Sequence, residues 1–504
     1  MSDSHRWQRW RAARRWVQAL SLVAFTALVV VTQRGAPGRA DAGILVGLDP
    51  LAALATVIAQ RRWLMVFLPA ASVLAATLLL GRVWCGWVCP LGTLLDWIRP
   101  ARAPDAPSRR WARIGQALLS IILLMALWGN LSLLVLDPVS IFVRSLTQIV
   151  LPATNWLVTR AEYALYGVAP LRGALDSVDG LLRGSVLPYE QPYYAVAGAT
   201  AFLILVFSLN WVAHRGWCRY ACPLGAMLGL VSKVAPFRRK VSEACIDCGR
   251  CANICPTGAI DEGQGYASSA SACIVCMECP PECPVDAIGF SKAAHEKRWE
   301  HDPGRRHLLG AAVAGVGLAA LGRVTPSSHY PHSRLIRPPG VDEQEMLQRC
   351  IRCGVCVRVC PTHGLQPSLT EAGLEGLATP VLVPRLGPCD YGCTACGQVC
   401  PTEAIPLLSL DVKRNTPLGV AFVDRDLCLP WSGASPCIVC EEMCPVPDKA
   451  IVLQEVVTTY RDGRSVTFQA PVVERDRCIG CGLCESKCPV AGEAAIRVRV
   501  DPLA

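Results

Sequence analysis

Six runs of four cysteines dominate the chemistry available to this chain. Four runs share the spacing Cys-x2-Cys-x2-Cys-x3-Cys-Pro: Cys245, Cys248, Cys251 and Cys255; Cys273, Cys276, Cys279 and Cys283; Cys350, Cys353, Cys356 and Cys360; Cys478, Cys481, Cys484 and Cys488. Two are looser. Cys389, Cys393, Cys396 and Cys400 open with a three-residue gap, and Cys428, Cys437, Cys440 and Cys444 with the eight-residue loop Leu429–Pro436. Such insertions cost little, because loop-closure entropy grows slowly with length. Three closely spaced thiolates wrap one face of a four-iron cube, and the fourth, before proline, reaches a neighbouring cube. A zinc ribbon uses paired Cys-x2-Cys motifs and does not give a four-cysteine run. A disulfide framework scatters its cysteines over a small fold. Cubes ligated only by cysteine leave no iron open to substrate, so their work is one-electron transfer. The bland alternative keeps them as structural staples.

The spacing predicts six [4Fe-4S] clusters. In the first pair, Cys245, Cys248 and Cys251 take Cys283, while Cys273, Cys276 and Cys279 take Cys255. Among the last four runs, exchange between neighbours and a nested exchange (first with fourth, second with third) both fit. Cys85, Cys89, Cys218 and Cys222 remain, in two Cys-x3-Cys-Pro pairs. Thiols at i and i+4 share one helical face, and the proline ends or redirects that helix. The pairs read as one further metal site (a seventh cluster among the options), as redox-active thiols, or as buried cysteines. Asp49 and Asp137 each precede a proline, which suits a helix N-cap; the functional reading is a proton acceptor for quinol oxidation. His214 is a lone histidine and makes no haem site.

A length of 504 residues, 52% hydrophobic and 18% charged, with mean hydropathy +0.34, indicates a membrane protein carrying soluble parts. The formal charge of +9 is no nucleic-acid signal, since each four-iron cluster brings about two negative charges when oxidised. Apolar stretches near 17–31, 63–80, 114–136 and 194–211 approach the roughly 20 residues of a spanning helix. Arg99, Arg102, Arg109, Arg110 and Arg113 follow the second stretch, and Arg215, Arg219, Lys233, Arg238, Arg239 and Lys240 the fourth. That bias puts the N-terminus and residues 213–304 in the cytoplasm, although Arg61 and Arg62 run against it.

The apolar half is also repeated. Asp49-Pro50 precedes Trp84-Cys85-Gly86-Trp87-Val88-Cys89-Pro90-Leu91-Gly92, and Asp137-Pro138 precedes Trp217-Cys218-Arg219-Tyr220-Ala221-Cys222-Pro223-Leu224-Gly225. Arg305-Arg306-His307-Leu308-Leu309 then leads into an Ala/Gly-rich apolar stretch, the pattern of a twin-arginine export signal; a buried helix is the alternative. Export of a folded, metal-loaded domain suits clusters assembled where thiols stay reduced. The expected architecture is a polytopic α-helical membrane domain plus α+β bacterial ferredoxin-like domains. Its boundaries are a four-helix transmembrane domain over 1–235, a cytoplasmic two-cluster ferredoxin domain over 236–295, and a twin-arginine-like fifth span over 300–325. A linker over 326–340 and a four-cluster polyferredoxin domain over 341–504, on the periplasmic side, complete it.

With those motifs in place, residues 1–300 resemble the NapH/MauN-type membrane ferredoxins and residues 300–504 the NapG/MauM-type polyferredoxins, here fused. The resemblance implies a multi-pass protein of the bacterial inner membrane that oxidises quinol, with quinone as the product couple. It further implies delivery of electrons to a periplasmic reductase or cytochrome acceptor, as in periplasmic nitrate reduction. An accessory or maturation role for a partner redox enzyme, amine oxidation included, is the other reading.

Overall fold

The structure, a computed structural model, describes residues 3–32, 43–98, 111, 113–185, 193, 196–292, 310, 313, 317, 335–369, 371–460 and 463–500. The chain divides into two compact units, one of Met1–Val31, Ala40–Val150 and Val196–Leu321, the other of Thr32–Arg39, Leu151–Ala195 and Gly322–Ala504. The twin-arginine-like stretch lies almost entirely outside the described residues.

The first unit is helical at its N-terminal end. Among the described residues, Arg6–Val31 is the one helix long and apolar enough to cross a membrane. The other three expected spans come as shorter apolar helices, Met65–Leu80, Arg113–Leu127 and Val196–Val212. This corrects the expectation of four full-length spans. The stretch expected to run to residue 136 stops at Leu127 because Gly129 turns left-handed (φ 71°) and Asn130 N–H returns to Met125 O at 3.0 Å. A 3₁₀ segment, Ser132–Leu136, follows.

Both halves of the repeat fold alike. Asp49 caps the helix Pro50–Gln60, its Oδ1 accepting from Leu51 N at 2.8 Å and Ala52 N at 3.3 Å. Asp137 caps Pro138–Ser145 through Oδ2, accepting from Val139 N at 2.9 Å and Ser140 N at 2.8 Å. Each Cys-x3-Cys pair lies on a π turn, Trp84–Val88 and Trp217–Ala221, rather than an ordinary α turn. Cys89 N–H and Cys222 N–H return to Trp84 O and Trp217 O, both at 2.9 Å. Proline then restarts the chain as the helices Pro90–Trp97 and Pro223–Val231. The halves interlock crosswise: the Pro50 helix packs against the Pro223 helix, and the Pro138 helix against the Pro90 helix.

A buried charge cluster holds this arrangement. Asp96 accepts from Arg215 at 2.6 and 2.7 Å, from Arg14, and from Gln18 at 3.0 Å. Arg215 also donates to Cys85 O at 2.7 Å, and Arg14 to Gly86 O at 2.9 Å, so the first cysteine turn hangs on these cations. His214 Nε2 stands 3.6 Å from Asp96 Oδ1. The cysteine-rich end of this unit pairs Phe237–Val241 antiparallel with Ile288–Lys292, in register from Phe237 with Lys292 to Val241 with Ile288.

The second unit is built from short helices and three two-stranded antiparallel sheets, the longest joining Ile451–Thr459 to Ser465–Val473. Residues 335–340, expected as linker, are packed into it. Ile336 bridges to Leu382, and Arg337 donates to Pro380 O at 2.7 Å while pairing with Glu343 at 2.6 Å. The segment 151–195 also belongs here, and Tyr193 stacks on His363 with ring centroids 4.3 Å apart.

Removing Asp96 takes the carboxylate from the buried Arg215 guanidinium and one of two from Arg14, which keeps Glu278; breaking such a buried pair typically costs about 3–5 kcal/mol. Asp96→Ala is expected to lower the thermal unfolding midpoint of the detergent-solubilised chain far more than Asp179→Ala on the exposed helix Arg172–Ser185. Equal midpoints for the two variants would show that the cluster does not hold the fold.

Candidate metal centres

The four regular runs wind by one backbone rule. The residue before the second cysteine is left-handed in each (Asp247, Val275, Arg352, Gly480), and so is the residue after it (Gly249, Met277, Gly354, Gly482). Val275 at φ 52° is costly for a β-branched residue. The gain is a tight loop that turns successive thiols toward one centre. In the two looser runs Thr394 and Ile438 sit at φ −126° and −125° in the place of that second left-handed residue, so the longer first gap removes the requirement.

The thiols gather in fours. Near the strand pair 237–241 and 288–292, Cys273, Cys276 and Cys279 group with Cys255. Cys251 faces Cys245, and Cys283 packs into the same small core. In the second unit Cys350, Cys353 and Cys356 group with Cys400, and Cys389, Cys393 and Cys396 with Cys360. Cys428, Cys437 and Cys440 gather with Cys488, and Cys478, Cys481 and Cys484 with Cys444. The exchange is therefore between neighbouring runs, not nested.

Burial, then mutual repulsion, raises these thiols. Burial pushes Cys353 up to about 12 and Cys389 up to about 11. Cys273 also rises to about 11 through burial, against the pull of Arg239 and Arg82. Backbone N–H groups point at the fourth sulfurs: Ala259 at Cys255 and Ala287 at Cys283, both 3.3 Å, and Ile405 at Cys400 and Ala450 at Cys444, both 3.4 Å. Among the described residues no three His, Cys, Asp or Glu side chains close to single-ion distance. A zinc bound at about 2.3 Å would draw its sulfurs to within roughly 4 Å of one another. Runs of four thiols with N–H donors already aimed at the fourth sulfurs fit a multi-iron cube.

Cys85, Cys89, Cys218 and Cys222, far apart in sequence, form a seventh group; Cys218 is half-buried and the others buried. A cavity of about 90 Å³ opens beside Cys218 and Cys222, bordered by Arg82 and Arg219 and reaching Thr257 and Ser271. The indole N–H groups of Trp84 and Trp217, and Nε of Arg82, are buried donors without a partner. This donor set suits an anionic guest held by thiolates. The loop of the second cysteine run docks directly on it. Arg82 donates to Ser271 O at 2.8 Å and lies 3.9 Å from Cys85 Sγ, and Trp87 Nε1 donates to Val275 O at 2.9 Å. A Cβ on Gly86 would fall 2.2 Å from Ile274 O, so only glycine admits that approach.

Asp49 and Asp137 also meet. The oxygens not used in capping, Asp49 Oδ2 and Asp137 Oδ1, are buried without a hydrogen-bond partner, and the two carboxyls lie close enough to act on each other. Two adjacent buried carboxylates repel, so such a pair favours holding a proton between them. Sequence reasoning named both residues but not their contact. It missed Arg82 and Asp96 altogether and read Arg215 only as a loop charge; their signal was a charge inside or beside an apolar stretch.

Models of known domains match the same segments. A 4Fe-4S binding domain matches residues 62–111 and 194–242, a 4Fe-4S dicluster domain residues 349–404, and a second 4Fe-4S binding domain residues 239–261 and 471–491. Fold and site together define a ferredoxin-type electron-transfer protein with several [4Fe-4S] clusters. The chain is 42% identical over 208 residues to the methylamine utilization ferredoxin-type protein MauM of Methylorubrum extorquens, covering 39% of this chain and 89% of that protein. It is 37% identical over 207 residues to the ferredoxin-type protein NapG of Escherichia coli, covering 39% and 85%. The putative electron transport protein YccM of Escherichia coli is 29% identical over 182 residues, covering 36% and 43%. The chain belongs to the MauM/NapG family of ferredoxin-type proteins. No solved structure matches.

The grouping makes a countable prediction. Cys350→Ser combined with Cys400→Ser strikes one group and should remove about four irons per chain. A nested exchange would strike two groups and remove about eight.

Proposed function

We propose that this chain takes electrons from membrane quinol and passes them outward to a periplasmic oxidoreductase or cytochrome. Its 24 run cysteines, in the groups described above, hold six four-iron clusters, and the Cys85, Cys89, Cys218 and Cys222 group holds a seventh redox site. When bound, each cluster supplies a one-electron carrier; the chain holds it, screens it and sets its potential. The observation that carries this reading is the docking of the Ser271–Glu278 loop on the Cys-x3-Cys turns through Arg82 and Trp87. It joins the helical end of the first unit to a ferredoxin end with no intervening helix. The Asp49–Asp137 pair, able to hold or release one proton, suits quinol chemistry, in which two protons leave with two electrons.

A lipid setting for the helices is supported by their outward apolar side chains. Leu20, Val23, Leu79, Ile204 and Leu205 are all more than half exposed. Residues 151–195, most of the stretch between the third and fourth apolar segments and poor in Lys and Arg, share their unit with the last four runs. That supports the periplasmic side for the distal unit. A second reading, an accessory to amine utilisation, is favoured by the likeness to the methylamine utilization ferredoxin-type proteins MauM.

In anaerobic membranes, reduced quinol should bleach the cluster absorbance. Cys85→Ser with Cys222→Ser should lower iron from about 28 to about 24 per chain, and should abolish reduction by quinol but not by dithionite. Clusters that stay oxidised with quinol in the unaltered chain would sink the dehydrogenase reading. A reporter active only outside the cytoplasm, fused after Ala504, should be active and should fall silent when Arg305 and Arg306 become Lys; activity of a cytoplasmic reporter there overturns the topology.

A further inference from the structure

The two pairs of cysteine groups in the second unit meet at one place. Cys389 N–H donates to Cys481 O at 2.8 Å, joining the first loop of the second run to the middle of the fourth. The chain from Lys413 to Ala421 reinforces that seam: Leu418 N–H donates to Ile479 O at 2.9 Å and Ala421 N–H to Cys478 Sγ at 3.4 Å. The groups built on Cys389 and Cys478 are therefore the inner two, and those built on Cys350 and Cys428 the outer two. In sequence order the runs line up first, second, fourth, third.

Lys413 occupies this seam. It is 2% exposed, at the end of the short helix Leu410–Arg414, which Ser409 caps. Its ammonium donates to the backbone carbonyl of Asp390, next to Cys389, and its charge acts on Cys389, Cys393 and Cys481. A buried lysine is expensive unless its charge is used, since desolvation is only partly offset by one carbonyl. Anionic clusters on both sides would use it. The opposing charge is also in place: the Asp390 carboxylate is exposed, accepts from Gly392 N at 2.7 Å, and acts on Cys393.

We propose that Lys413 is a potential-setting cation shared by the two inner clusters of the second unit, across which electrons pass between its halves. Reduction adds one negative charge to a cluster and changes no bond. A cation held in a low-dielectric seam favours that reduced state, and more strongly than a surface lysine would. The inner two clusters thereby become the preferred resting place of electrons between the outer two. This inference rests on the electron-transfer reading but not on quinol as the donor.

The test is an anaerobic redox titration of the full, cluster-loaded chain in detergent, poised with chemical mediators and followed by electron paramagnetic resonance. Lys413→Gln should lower the midpoints of two clusters by about tenfold in their reduction constants, about 59 mV for one electron, and leave the others in place. Lys413→Arg, which keeps the charge, should restore them. Unmoved midpoints, or a uniform shift of every cluster, overturn the proposal. Should Lys413→Gln load fewer irons, Asp390→Asn decides: it removes the opposing surface charge and should raise a midpoint among the same pair, and no rise refutes the inference. Mediators reduce the clusters whether or not quinol does, so failure here stays distinct from failure of the quinol assay.

Discussion

The exchange of the fourth thiol between neighbouring cysteine runs is the constraint on which the rest of the structure depends. A run of three close cysteines can curl around a centre by local backbone geometry alone, as the left-handed pairs at Asp247 and Gly249 or Arg352 and Gly354 do. The fourth thiol must arrive from elsewhere, so Cys255 and Cys283, or Cys360 and Cys400, force two loops to fold as one. This is why the sheets can be so short. Two or three ladder pairs, as at Leu365–Pro367 with Pro380–Leu382, would be marginal alone. Here they only have to align loops that the shared thiols already tie.

The same constraint creates an electrostatic problem, and the placement of cations answers it. Four buried thiolates are unfavourable neighbours, and burial raises every thiol that shifts. Arg239 lies near Cys251, Cys273 and Cys279, Arg14 near Cys276, and Lys413 near Cys389 and Cys481. Each cation also carries a structural bond, so charge compensation and loop position are set together. Arg14 shows this most fully, since it pairs with Glu278 at 2.9 Å, with Asp96, and with the carbonyl of Gly86. One side chain thus fixes the N-terminal helix, the first Cys-x3-Cys turn and the second cysteine run.

The chemistry was legible in the sequence because ligand spacing is a short-range property. Cys-x2-Cys-x2-Cys-x3-Cys-Pro names its own turn, and the matched Asp-Pro and Cys-x3-Cys-Pro segments showed a repeat. Long-range partners were not legible in the same way. Neighbour exchange and nested exchange use identical motifs, and only the packing of Cys400 beside Cys350 separates them. Span lengths were misjudged for a related reason. Hydropathy sums over Ile114–Leu136 do not register that Gly129 ends the helix, and the apolar residues beyond it pack as a 3₁₀ segment.

The repeat gives the first unit a polarity that neither half has alone. Each half contributes one capping aspartate and two thiols, and the crosswise packing of the Pro50 helix on the Pro223 helix, and of Pro138 on Pro90, brings like to like. Two carboxyls then meet in one place, and four thiols gather in another. Duplication thus separates a carboxyl pair from a thiol group within one helical body. On the quinol reading proposed above, that separation suits protons and electrons that leave by different routes. The ferredoxin loop rests on the thiol group through Arg82 and Trp87, and the carboxyl pair lies outside that contact.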